Sequence, residues 1–121
     1  HGRLHLASAT DIDARLGGER AAVVACGHTH VPRMARSAAG QLLVNPGSVG
    51  LQAYTDDQPS PYVVENGAPD ARYAILHAGP AGWSVEHVAV PYDHASMAAL
   101  AQARGFEEWA HALMTGYVPR E

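Results

Sequence analysis

Ala21-Ala22-Val23-Val24-Ala25-Cys26-Gly27-His28-Thr29-His30-Val31-Pro32 decides the fold of this 121-residue chain. Residues 21–26 are a short apolar run, which reads as a buried strand. Gly27 lets the backbone turn at the strand's end. His28 and His30 then project from an irregular loop at that carboxyl end, where open α/β sheets collect their ligand sites. Neutral imidazole suits Zn, Fe, Mn, Ni or Cu. Two histidines one residue apart cannot close a site, but from an irregular loop each can serve a different ion. The bland alternative is a pair of loop histidines bonded to backbone.

Downstream, Val31 to Arg36 and Gln41 to Asn45 read as two strands joined by Ser37-Ala38-Ala39-Gly40. The second runs into Asn45-Pro46-Gly47-Ser48-Val49-Gly50, a strong turn signal. Upstream, Arg3 to Ala7 alternates like a short strand. Ser8, with Asp11 three residues on, reads as the capped start of a helix that Gly17-Gly18 ends. Gln52 to Asp70 carries three of the eight prolines and reads as a long surface loop with a short extended piece at Tyr62-Val63-Val64. Arg72 to His77 and Trp83 to Val90 form a hairpin around Ala78–Gly82. Asp93 caps a helix with Met97, Leu100 and Ala101 on one face, and Arg104-Gly105 breaks it. Phe106, Trp109, Ala110, Leu113 and Met114 then follow the spacing of a packing stripe.

In their order and separation these motifs resemble the calcineurin-like metallophosphoesterases. The likeness is to the bacterial branch in which Gly27-His28-Thr29-His30-Val31-Pro32 is followed by a strand and Asn45-Pro46-Gly47-Ser48-Val49-Gly50. It continues through Tyr54-Thr55-Asp56-Asp57, Ala71-Arg72-Tyr73-Ala74, Val90-Pro91-Tyr92-Asp93 and Trp109-Ala110-His111-Ala112-Leu113, and so covers nearly the whole chain. The resemblance implies an α/β fold, part of a layered β-sandwich flanked by helices. Residues 1–121 would be the C-terminal portion of a single domain. The family's D-x-H, G-D and G-N-H motifs belong to the N-terminal half, and none occurs here. His1-Gly2 has the form of the family's H-G motif. However, Gly2-Arg3-Leu4-His5-Leu6-Ala7-Ser8 reads as the strand leading into the next helix, so His1 is expected to be exposed and remote from the loop.

The resemblance further implies metal-dependent hydrolysis of phosphoesters by a hydroxide that two divalent metal ions activate (Mn, Fe, Zn, Ni or Mg). His28 would ligate the second metal and His30 the first. The carboxylate ligands, an Asn ligand and the catalytic His would all come from the absent half, leaving no catalytic residue in this segment. Asn45 and Ser48 read mainly as turn-shaping residues, with Asn45 a candidate to support the His loop. Thr29 reads as a backbone-satisfying loop residue. Asp56 and Asp57 could reach substrate or metal, against the plainer reading of a solvated loop. Arg33 and Arg36 could meet a phosphate, against the plainer reading of solvent-facing strand positions. His5, His77, His87, His94 and His111 are expected to be surface or packed histidines.

The expected partners are a phosphoester substrate and the missing N-terminal half, with an oligomer possible. The rival reading is a non-catalytic protein-binding scaffold on the same fold, like the retromer subunit. The formal net charge is −4 and all eight basic residues are Arg, which gives no basic patch for nucleic acid. No stretch approaches the ~18 apolar residues of a membrane span. The single cysteine, Cys26, is expected to be a small buried hydrophobe and fits a cytoplasmic protein.

Overall fold

The structure, a computed structural model, describes residues 2–120, with side chains from residue 4 onward. His1 and the expectation attached to it lie outside the described residues.

The Ser8 hydroxyl accepts from the Asp11 amide at 3.2 Å, and the Asp11 carboxylate accepts from the Ser8 amide at 2.9 Å. This reciprocal capping box starts helix α1 (Ala9–Leu16), which Gly17 ends at φ 56°. Strands β2 (Val23–Ala25), β3 (Arg33–Arg36) and β4 (Leu42–Asn45) form one sheet in the order β2-β4-β3, parallel between β2 and β4 and antiparallel between β3 and β4. Leu42, Val44 and Asn45 of the central strand are buried.

The second sheet corrects the sequence reading. The extended piece read at Tyr62-Val63-Val64 is strand β6 (Tyr62–Glu65), but the rest of 52–70 is not simply loop: β5 (Ala53–Asp56) pairs with β6 as an antiparallel hairpin. Tyr62 and Val64 lie on one face of this hairpin and Ala53 on the other, and all three are buried. Pro59 and Pro61 sit in the connection, where a missing N–H costs no ladder bond. Strand β1 (Gly2–Arg3) adds parallel to β6, giving the order β1-β6-β5. It is shorter than the expected Arg3–Ala7 strand: Gly2 and Arg3 pair with Tyr62 and Val63, and residues 4–8 carry no regular structure.

Strands β7 (Ala71–Gly79) and β8 (Gly82–Val90) form a long hairpin around Pro80-Ala81. Asp93 then caps α2 (His94–Ala103) by accepting from the Ser96 amide, and α3 (Glu107–Thr115) follows. The two helices pack on each other, and α3 also meets β5. The expected apolar faces are corrected here. Ala98, Ala110 and Ala112 are the buried helix positions, because small side chains allow the close helix contact. Met97, Leu100 and Met114 are exposed, as are Phe106 at 56% and Trp109 at 55%.

Four of the nine buried apolar residues among those described are alanine, so the core is thin. Its apolar surface instead faces a cavity of about 910 Å³ walled by Leu43 and Val44 of one sheet and Val63 and Val64 of the other. Cys26 lines this cavity and is exposed, contrary to the expectation of burial, because its strand is the edge of its sheet. Its thiol lies 3.6 Å from the Val44 carbonyl oxygen. Among the described residues no helix is long and apolar enough to cross a membrane.

Candidate functional site

The loop that follows β2 is fixed by its backbone. The Cys26 amide donates to the Val44 carbonyl at 2.9 Å and carries the ladder one residue past the strand. His28 and His30 then both take left-handed conformations, at φ 73° and 58°. Such a conformation costs a side-chain-bearing residue about 1–2 kcal/mol. It persists where the surroundings over-determine it, and such positions cluster at functional sites.

Those surroundings are three carbonyl contacts. Asn45 Nδ2 donates to the Gly27 carbonyl at 3.4 Å and to Thr29 Oγ1 at 3.0 Å. Tyr54 Oη donates to the His28 carbonyl at 2.7 Å. Asn66 Nδ2 donates to the His30 carbonyl at 2.8 Å. Asn45, only 6% exposed, also accepts from the Gly47 amide at 3.0 Å, which ties the His loop to the Asn-Pro-Gly-Ser turn. Asn66 donates as well to Gln52 Oε1 at 2.7 Å, and the fully buried Gln52 donates to the Ser48 carbonyl. Tyr54, Gln52, Asn66 and Tyr62 were missed as site residues from sequence: the first three fall in the segment read as a loop and Tyr62 in its short extended piece.

The ring nitrogens are equally specific. His30 Nδ1 lies 2.7 Å from the Leu51 carbonyl oxygen. A carbonyl only accepts, so Nδ1 carries the proton and the neutral ring keeps its lone pair on Nε2. The His30 ring also meets Tyr54 edge-on, with centroids 4.9 Å apart. His28 Nε2 lies 3.1 Å from Tyr62 Oη, and Tyr62 Oη donates to Asp56 Oδ2 at 3.0 Å. The phenol's one proton therefore goes to Asp56, its oxygen accepts from His28 Nε2–H, and the His28 lone pair is on Nδ1.

Charge states agree with this reading. The Gln58 amide and then the Tyr62 hydroxyl hold the Asp56 carboxyl below its ordinary value, so it is ionised at neutral pH. Burial, followed by the Asp56 hydrogen bond, pushes the Tyr62 phenol up to about 12. It keeps its proton.

The remaining candidates are engaged elsewhere. Arg33 donates to the Ala7 carbonyl at 3.0 Å, and Arg36 to the carbonyls of Gly40 and Trp83. Arg36 is exposed, as expected of a solvent-facing strand position, whereas Arg33 is half-buried. His77 approaches Glu86 at 3.6 Å in an exposed pair, His87 meets the Asn45 carbonyl at 3.0 Å, and His94 meets the Tyr92 carbonyl. His5 and His111 are exposed. Asp57 is exposed too, and its backbone amide donates to Asp56 Oδ1. Among the described residues, no three His, Cys, Asp or Glu side chains gather where one ion could sit. The chain therefore offers individual donor atoms, two free imidazole nitrogens on one loop, and not a closed ligand set.

The two histidines, the turn after β4 and the sheet that clamps them define a strand-end loop suited to metal ligation, on an α/β scaffold. Comparison with protein families matches residues 1–67 to the calcineurin-like phosphoesterase superfamily domain, and the chain belongs to that superfamily. The matched segment holds the His loop, the Asn-Pro-Gly-Ser turn and the β5–β6 hairpin. Comparison with curated proteins gave no significant match.

Proposed function

We propose that this chain supplies the His-loop half of a two-metal phosphoesterase centre. His28 contributes Nδ1 to one divalent ion and His30 contributes Nε2 to the other. The observation that carries this reading is the pair of fixed hydrogen bonds that leaves each ring one lone pair, on opposite nitrogens. Metal-ligating histidines characteristically have their other ring nitrogen held in this way. When bound, the ions supply an acidified water and charge neutralisation for a phosphoryl group.

This chain's own residues orient the two imidazoles and hold their backbone. Asn45 locks the loop to the turn after β4, Tyr54 and Asn66 hold the His carbonyls, and Leu51 fixes the His30 ring. Two imidazoles fall short of the three or four protein ligands that catalytic and structural metal sites use. The reading therefore assigns the remaining ligands, and the cover for the inter-sheet cavity, to the domain half that carries the superfamily's other motifs. The lone Cys26 supports a reducing, cytoplasmic setting.

The test is release of nitrophenol from bis-nitrophenyl phosphate by the intact protein with Mn²⁺ or Ni²⁺, alongside metal analysis. His28→Ala and His30→Ala should each remove nearly all turnover and lower the bound metal. Full metal content and normal rates in both variants would reject the ligand assignment. A scaffold role is the second reading, favoured by the exposed Phe106, Trp109 and Met114 of the helical layer. It predicts no turnover with any metal in a correctly folded protein.

A further inference from the structure

We propose that Asp56 and Tyr62 are positioning residues that act through His28, forming a relay that fixes its ring as the Nε2–H tautomer and so presents Nδ1. The inference rests on His28 being a metal ligand, but the tautomer itself is a property of the metal-free protein.

Hairpin register builds the relay. Asp56 and Tyr62 are directly paired across β5 and β6, so their side chains stand on one face of the sheet. Tyr54, two residues before Asp56, shares that face and holds the His28 carbonyl. One face of one hairpin thus grips both the backbone and the ring of His28. Tyr62 is 8% exposed, which keeps competing water from its hydroxyl. Both oxygens of Asp56 are already occupied: Oδ2 by Tyr62, and Oδ1 by the amides of Asp57 at 2.7 Å and Gln58 at 3.1 Å. Three of the roughly four acceptor positions of the Asp56 carboxylate are thus engaged within the hairpin, which suits it to orienting Tyr62.

The polarity of the relay gives a reversible prediction. In Asp56→Asn the two backbone amides keep an oxygen at the Oδ1 position and place the NH₂ toward Tyr62. The phenol oxygen must then accept, and its proton turns to His28 Nε2. The His28 ring then shifts to the opposite, Nδ1–H tautomer, because Nε2 is the acceptor already placed 3.1 Å from the phenol oxygen. Tyr62→Phe removes the partner altogether and leaves a mixture.

Long-range ¹⁵N–¹H correlations of the imidazoles report tautomers directly. They should be recorded on the intact, metal-free protein at about pH 8, where imidazole is neutral. The expected result is Nε2–H for His28 in the wild type, Nδ1–H in Asp56→Asn and a mixture in Tyr62→Phe, with His30 unchanged throughout. Asp57→Asn, at the exposed neighbour, should leave His28 as in the wild type. Titration with Mn²⁺ should then show a loss of affinity of about 10–100-fold at the ion near His28 in Asp56→Asn.

Nδ1–H in the wild type overturns the proposal before any variant is made, so a misfolded variant cannot shelter it. An unchanged tautomer in a folded Asp56→Asn also overturns it. Correct tautomers with no paramagnetic broadening at either histidine would uphold the relay and reject the metal reading instead.

Discussion

Gly47→Ala is the substitution that best tests how the turn after β4 supports the His loop. Gly47 sits at φ 89°, where a side chain costs about 1–2 kcal/mol. A Cβ built there would lie 2.8 Å from Pro32 Cγ and 2.8 Å from Arg72 Cβ. Both neighbours are stiff: one is a ring carbon and the other is the first atom of its side chain. Relief therefore needs backbone movement, and overpacking of this kind costs about 1–3 kcal/mol more. The expected total is about 2–5 kcal/mol, a large share of a typical domain's stability of about 5–15 kcal/mol. Urea unfolding of the intact protein is the assay. With a slope of about 2 kcal/mol per molar, the midpoint should fall by roughly 1–2.5 M at unchanged slope. Pro32 stands two residues after His30, so the displaced turn should also disturb the His30 amide resonance. A midpoint within about 0.3 M of wild type, with that resonance unmoved, would refute the packing argument.

Asn45→Ala removes three side-chain hydrogen bonds at a buried position. At about 1 kcal/mol each it should cost roughly 2–4 kcal/mol in the same assay, and a loss below about 1 kcal/mol would contradict its role as the tie between loop and turn. Asp11 is held below its ordinary pKa by the Ser8 hydroxyl and then the Ser8 amide. Its stabilisation is complete above the unfolded value and lost as pH falls through the lower folded value. Asp11→Asn should thus differ from wild type at pH 7 and converge with it below about pH 4; a difference that persists at about pH 2 would be inconsistent. Ser8→Ala should cost about 1 kcal/mol by thermal or urea unfolding. Cys26, exposed on the cavity it lines, should react with a thiol reagent without denaturant, and no labelling of the folded protein would contradict that exposure.

The parts of the fold legible in the sequence are those governed by local chemistry. Ser8 with Asp11, Gly17, the β3–β4 hairpin, Asp93 and Gly105 all act within a few residues of themselves. Each stands where the pattern put it. The β5–β6 hairpin was not legible. Its strands are only four residues long, its connection carries two prolines, and its burial comes from packing against distant residues. The helix faces failed for a related reason. Spacing shows which residues share a face, but packing decides whether small alanines or large aromatics meet the neighbour. For the site, His28, His30 and Asn45 stood out because short motifs carry them. Tyr54, Tyr62 and Asn66 reach the loop only through the tertiary fold, across 26 and 34 residues for His28 and 36 for His30.

The clamp on the His loop also bears on how an ion would be received. A flexible loop must be ordered when its ligand arrives, and that loss of conformational freedom is subtracted from affinity. Here Tyr54, Asn66 and Asn45 impose the left-handed backbone at His28 and His30 during folding. The ordering entropy is therefore charged to the stability of the fold and not to binding. Loading and removal of metal should leave the shape of this loop nearly constant. Sensitivity passes instead to the hairpin: under the proposed ligation, a perturbation that loosens β5 and β6 would weaken ion binding without touching either histidine.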